Sequence, residues 1–414
     1  MKTNRFDFSQ RNAAIDILRA LTVLLMIFVN DFWSVKGVPQ WMQHAGRGVD
    51  FLGLADVVFP VFLFVVGMSV PFALENRSRK GLSDTNTVLH ILLRTFALLI
   101  MGAFTEQTLS GMAQDVAMTM PVWKVLMVPG FFLVWNAYPK TNQPVRHLYT
   151  ALQITGVLLL IYLAYIFRDR NGGYLRGSWG ILGSIGWAYL VCAFVYLFVR
   201  NNIQKIFFCW LGLLLYCMAI TSTGKTAEPF QLIPKDANIL RDLMGIVRVG
   251  STTLLTMGGV LFSLLIAGYA HLETRKKVIY LSSLVVVVLI AAIISHQFWI
   301  VAKIGATPAW VLYCSAITIG AYGLLQWAVS MGKSHWFNII KAGGTATLSC
   351  YVMPYFLQGF LYSFKYGFLP EPLYGLLPLW MKTDIGGLIK CAVWALLCIL
   401  FTAGLERLKI KLKI

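Results

Sequence analysis

Apolar residues run along this chain in stretches of about twenty, broken by short polar segments. A helix needs roughly 20 mostly apolar residues to cross a bilayer. The runs predict spans near 14–33, 53–74, 87–105, 122–138, 148–167, 181–199, 206–223, 251–270, 278–297, 308–330, 342–363 and 385–404. Two of them are weak. The run at 122–138 carries Lys124 and Pro129, and 342–363 opens with GGTATLS. The expected fold is therefore all-α: one integral-membrane domain over 1–414, about twelve spans (ten to twelve), and no soluble domain. No internal repeat is visible, and the weak spans do not form the inverted pair of a transporter.

Composition agrees. Of 414 residues, 58% are hydrophobic and only 13% charged, where a soluble domain sits near a quarter. Mean hydropathy is +0.71. The net charge of +18 does not suit a nucleic-acid partner, because there is no soluble domain to hold one. It fits basic loops on the cytoplasmic side. With the N-terminus inside, the inner segments include NRSRK (76–80), RNNIQK (200–205), ETRKK (273–277) and the tail ERLKIKLKI. They outweigh the outer ones, so both termini are expected in the cytoplasm. The first apolar run holds Asp16 and Arg19 and lacks a small-residue cleavage pattern, so it reads as a retained span, and a bacterial inner membrane is the expected location. The long outer segment 224–250 has helical spacing in ANILRDLMGIVRVG and is expected to lie on the membrane or roof a cavity. The seven cysteines all fall in apolar runs. No zinc spacing or disulfide framework is present, and no metal is expected.

Charge inside a span is costly and usually functional. Asp16 and Arg19 lie three apart and share a helix face. Asn30 lies about four turns further on, near the same face, roughly 20 Å away. Past it, the chain reads FVNDFWSVKGVPQWMQHAGRGVDFLGLADVVFPVFLFVVG. His90, His147, His271 and His335 fall at inner boundaries, where an interfacial role suffices. Only His44 and His296 fall outside. His44 stands between two spans with Asp50 and Asp56 close after it. An imidazole can take a proton from an amine or hydroxyl, or attack directly, and a nearby acid can fix its tautomer. Asp56 has a competing role as N-cap of the second span, and Arg94 reads as snorkelling toward the inner headgroups. GxSxG, HExxH, SxxK, Walker and GxGxxG patterns are absent. The six positions from His44 to Asp50 do not make an H-x4-D motif.

The stretches AAIDILRALTVLLMIFVND and QHAG…GLADVVFPVFLFVVGMSV resemble the heparan-α-glucosaminide N-acetyltransferase family and its bacterial relatives. MGIVRVGSTTLLTMGGVLFSLLIAG, TPAWVLYCSAI and GGTATLSCYVMPYF agree more loosely. The resemblance is strong over 11–75 and weaker over 240–363. It is absent over 120–235, so 122–223 reads as divergent or inserted spans. Ala20 stands where the family has glycine, and the step from His44 to Asp56 is about two residues longer than usual.

The resemblance implies a multispan enzyme that moves acetyl from cytoplasmic acetyl-CoA to the amine of a terminal glucosamine on the far side. It makes His44 catalytic and matches Asn30 to the asparagine that closes the first span. On that footing His44 is base or acyl carrier, and Asn30 donates to the developing oxyanion. Asp31, Asp50, Asp56, His296 and Lys303 are expected to meet the sugar acceptor. Asp16, Arg19, Arg94 and Lys341 are expected to hold the donor, with the basic inner loops. The alternatives are an O-acyltransferase of an envelope polysaccharide and a transporter of a sugar or lipid-linked sugar. A homodimer is compatible with either.

Overall fold

A computed structural model describes residues 8, 12–113, 116–139, 143–175, 180–221, 230, 232, 250–269, 272–363, 378–381 and 383–414. The outer segment 224–250 and His271 lie, nearly whole, outside the described residues. Thirteen α-helices are described: α1 Ala13–Asn30, α2 Leu54–Arg79, α3 Asp84–Ser110, α4 Met120–Trp135, α5 Gln143–Ile166, α6 Gly180–Val199, α7 Ile203–Ile220, α8 Ser251–Gly268, α9 Thr274–His296, α10 Pro308–Ser330, α11 Lys341–Thr345, α12 Thr347–Ser363 and α13 Asp384–Arg407. Among the described residues, strand pairing is limited to two isolated bridges.

Among the described residues, ten helices are long and apolar enough to cross a membrane, which makes this an integral membrane protein. The two runs that looked weak in the sequence are the ones outside that set. α4 has only 16 residues. The 342–363 run is broken at Ala346 into α11 and the 17-residue α12, where GGTAT offers little helix propensity.

The chain divides into two compact units. The first holds residues 1–22, 39–95 and 184–338, the second 23–38, 96–183 and 339–414. In the first, α2 packs along α8, α7 lies against α8, and α9 pairs with α10, which touches α2. The α2–α8 crossing is close because each helix offers a glycine there. A Cβ on Gly67 would come within 1.8 Å of the Thr256 carbonyl oxygen, and one on Gly259 within 1.9 Å of that of Phe64. Small residues let membrane helices approach backbone to backbone. Ser263 Oγ then donates to the Met68 carbonyl at 2.6 Å.

The second unit is built on α4 with α5 and α12, and on α13 with α11 and α12. Its segment 31–38 is fastened to the start of α13. Lys36 bridges Thr383, and the Asp384 amide donates to the Lys36 carbonyl at 2.8 Å. Lys390 Nζ lies 3.2 Å from Asp31 Oδ2 and also bonds Ser34 Oγ.

Candidate active site

Asp56 sets up the geometry in the first unit. Gly53 is the N-cap of α2, so Asp56 occupies the third helical position and is not the N-cap that its place in the sequence allows. From there its carboxylate reaches back over the loop before the helix. Oδ2 accepts from the Ala45 amide at 2.8 Å and the Gly53 amide at 3.4 Å, and Oδ1 meets His44 Nδ1 at 2.8 Å. The residue is fully buried, and these donors match what a buried carboxylate requires. Residue 53 has to be glycine for the loop to close, because a Cβ there would lie 1.8 Å from the Gln43 carbonyl oxygen.

The Asp56 contact assigns the tautomer of His44. Nδ1 carries the proton and donates it, which leaves Nε2 with a free lone pair. The imidazole is 49% exposed while Asp56 is 1% exposed. A buried acid thus orients a half-open base, the arrangement that general-base and nucleophilic catalysis share.

A turn between α9 and α10 supplies the third group. Lys303 Nζ lies 3.3 Å from His44 Nδ1 and 3.3 Å from the Ala55 carbonyl. Because Nδ1 already donates to Asp56, a charged Lys303 bonds the carbonyl, and only the neutral amine can accept from the ring. Burial pushes the Lys303 ammonium below its usual pKa, while the Asp56 charge pulls the other way. Thr307, the N-cap of α10, holds this turn by accepting from the Ala302 amide at 3.2 Å. On α10 itself, Trp310 Nε1 donates to the Asp56 backbone carbonyl at 3.0 Å.

Asp50 does not orient His44. It pairs with His296 at the end of α9, whose Nε2 lies 2.8 and 3.0 Å from the two carboxylate oxygens. Asp50 Oδ1 also accepts from the Val301 amide at 2.8 Å, and the Phe51 amide donates to the Val301 carbonyl at 3.2 Å. The two loops are thereby joined edge to edge two residues before Lys303. His44, Asp50, Asp56, His296 and Lys303 thus form one constellation in the first unit.

Of the remaining candidates, Asp16 and Arg19 pair at 3.1 Å, and Arg19 also reaches Ser69 Oγ at 2.5 Å. Arg94 stacks on the Tyr189 ring, 4.6 Å from its centre. Asn30, Asp31 and Lys341 belong to the second unit. Asn30 is exposed at the end of α1 and Lys341 is exposed at the start of α11, while Asp31 is buried in its pair with Lys390. Lys390 was not among the residues singled out from sequence. A lysine seven residues into an apolar helix was the available signal. His147 and His335 are exposed, as interfacial histidines would be. Among the described residues, no group of three or more His, Cys, Asp or Glu could hold a metal.

Residues 11–233, just over half of the chain, match a family described as a domain of unknown function, DUF5009. The chain belongs to this family. The DUF5009 match takes in Asn30, Asp31, His44, Asp50, Asp56 and Arg94 and ends before His296 and Lys303. The chain is also similar to the heparan-alpha-glucosaminide N-acetyltransferase of Mus musculus, 30% identical over 99 residues, and to that of Homo sapiens, 31% identical over 93 residues. These alignments cover 24% and 22% of this chain but only 14% and 13% of those proteins.

Proposed function

We propose that this protein is a transmembrane acyltransferase that moves acetyl from acetyl-CoA to an amino sugar, with His44 at its centre. The observation that carries the reading is the His44–Asp56 contact, 2.8 Å long, on a loop between two membrane spans with Nε2 left free. The partial similarity to the glucosaminide N-acetyltransferases supports the same chemistry.

His44 Nε2 takes the proton from the acceptor amine as its nitrogen attacks the thioester carbonyl. The C–N bond forms, the C–S bond breaks, and the CoA thiolate leaves with the proton returned from the imidazolium. Asp56 stabilises that imidazolium and fixes the ring. Asp50, His296 and Lys303 contact the sugar, and Asp31 holds the end of α1 that carries Asn30. The basic inner loops gather the donor's phosphates on the cytoplasmic side, with both termini on that side of a bacterial inner membrane.

The test uses purified protein with radiolabelled acetyl-CoA and glucosamine, comparing wild type with His44→Ala. Label transferred by wild type and lost in the variant, with CoA binding intact, is the expected result. CoA binding without transfer to glucosamine directs the search to a hydroxyl acceptor on an envelope polysaccharide. Absence of CoA binding overturns the enzyme reading in favour of transport.

A further inference from the structure

Arg94 sits ten residues into α3, about 15 Å along its axis at 1.5 Å per residue. That is roughly half of a hydrocarbon core of ~30 Å. Leu89, Leu92, Leu93 and Phe96 form the exposed, lipid-facing side of the helix, while Thr87, Ile91 and Thr95 are buried. Arg94 falls on the protein side, stacked on Tyr189, which is 2% exposed. Ile91 and Tyr189 belong to one apolar cluster with Cys192, Ala193 and Tyr196. Arg94 therefore does not snorkel outward, as its sequence position suggested. It points into the fold.

A guanidinium so placed calls for a counter-charge. Arg19 has Asp16, and Arg200 has Asp84 at 2.6 Å. Among the described residues, Arg94 meets only the face of an aromatic ring. Its Nε is buried with no hydrogen-bond acceptor, and the neighbouring Thr95 Oγ1 is also buried and unpartnered. Buried polar atoms left open in this way are rare in folded proteins.

A polar ladder leads to the spot. Tyr189, Tyr196 and Arg200 are spaced seven and four apart, which puts them on one side of α6 as it runs into the turn after it. Arg200 pairs with Asp84 in an exposed position, and Tyr196 Oη lies 3.1 Å from Glu75 Oε1 and 2.8 Å from Asn201 Oδ1. The ladder rises about 16 Å from Arg200 to Tyr189. The end it starts from is the one that carries Arg77, Arg79 and Lys80 at the close of α2.

We propose that Arg94 is an anion subsite inside the membrane that binds a phosphate group of a ligand. A planar guanidinium placed over a tyrosine ring has an Nε–Nη edge of the shape that fits two phosphate oxygens. The proposal rests on the acyltransfer reading only for the ligand's identity, which under that reading is CoA. Phosphate of a phospholipid headgroup has the same chemistry.

The experiment measures affinity by calorimetry for CoA, ADP and pantetheine, using full-length wild type, Arg94→Gln and Arg94→Lys in detergent. Phosphatidylglycerol retained on purification is measured alongside. Arg94→Gln is expected to weaken CoA and ADP by about tenfold or more, the loss of one strong charge-assisted contact, and to leave pantetheine unchanged. Arg94→Lys is expected to recover only part, because it keeps the charge without the fork. If phosphatidylglycerol retention changes and CoA affinity does not, the phosphate is a lipid's and the ligand assignment fails. If wild type binds no CoA, the acyltransfer reading fails on its own, and the ADP and lipid arms still decide Arg94. Equal binding of every phosphate compound by wild type and Arg94→Gln overturns the subsite. Should Arg94→Gln not fold, unchanged CoA affinity in Arg94→Lys overturns it.

Discussion

Asp56 Oδ1 and His44 Nδ1 stand 2.8 Å apart, with the acid fully buried and the imidazole half exposed. Under the proposed acyl transfer the pair would supply two different properties: His44 the proton acceptor, and Asp56 the choice of which nitrogen that is. His44→Ala removes the base and is expected to lower the rate of acetyl transfer by about 10²–10⁴-fold; it also takes a donor from the buried Asp56 carboxylate, so a lower unfolding temperature is expected beside it. Single-turnover rates at saturating donor make the comparison.

Asp56→Asn separates orientation from charge. The amide can donate to Nδ1, which moves the ring proton to Nε2 and blocks the base. Loss approaching ~10⁴-fold in rate is expected, as when an acid that holds a catalytic histidine is made neutral. Asp56→Ala also leaves the Ala45 amide without its acceptor. It should destabilise the fold by a further ~1–3 kcal/mol, read as a lower unfolding temperature than that of the Asn variant.

Lys303 is expected to give the proposed reaction an alkaline limb. Burial lowers its pKa from the ordinary 10.5, so the ammonium is lost at a lower pH than in an open lysine. Activity that needs this cation at the acceptor site should fall as pH rises through that value. Lys303→Arg stays charged throughout and is expected to shift the alkaline limb upward. A pH profile identical in wild type and Lys303→Arg would remove Lys303 from acceptor binding.

Gly67 and Gly259 set the α2–α8 distance. Gly67→Ala puts a methyl 1.8 Å from the Thr256 carbonyl oxygen, so the helices must part. A loss of about 1–3 kcal/mol is expected, the usual result of overpacking. Gly212→Ala, where a Cβ meets nothing within 4 Å, is the control and should leave the unfolding temperature unchanged.

Lys390 and Asp31 form an ion pair whose side chains are only 14% and 10% exposed. Lys390→Met strands the carboxylate and is expected to cost ~3–5 kcal/mol. Adding Asp31→Asn should restore much of that stability. Thermal unfolding of the single and double variants reads the coupling directly.

Much of this was legible without coordinates. Spans of about twenty apolar residues must be helices in lipid, because every backbone group has to find a partner within its own segment. The runs at 122–138 and 342–363 already showed their weakness in Lys124, Pro129 and GGTATLS. His44 stood out because it was the lone histidine between two spans with acids close behind it. The sequence could not choose between Asp50 and Asp56. Both lie within twelve positions of His44, and spacing along a loop carries no direction. Folding chose Asp56 because the third position of α2 turns its carboxylate back over the loop. It assigned Asp50 to His296 and Val301, some 250 positions away along the chain. Lys303 reached His44 only through the packing of α10 on α2, and Arg94 turned inward only because α6 laid Tyr189 beside it. Contacts between residues so far apart depend on which helix faces meet, and that choice belongs to the whole chain packed together.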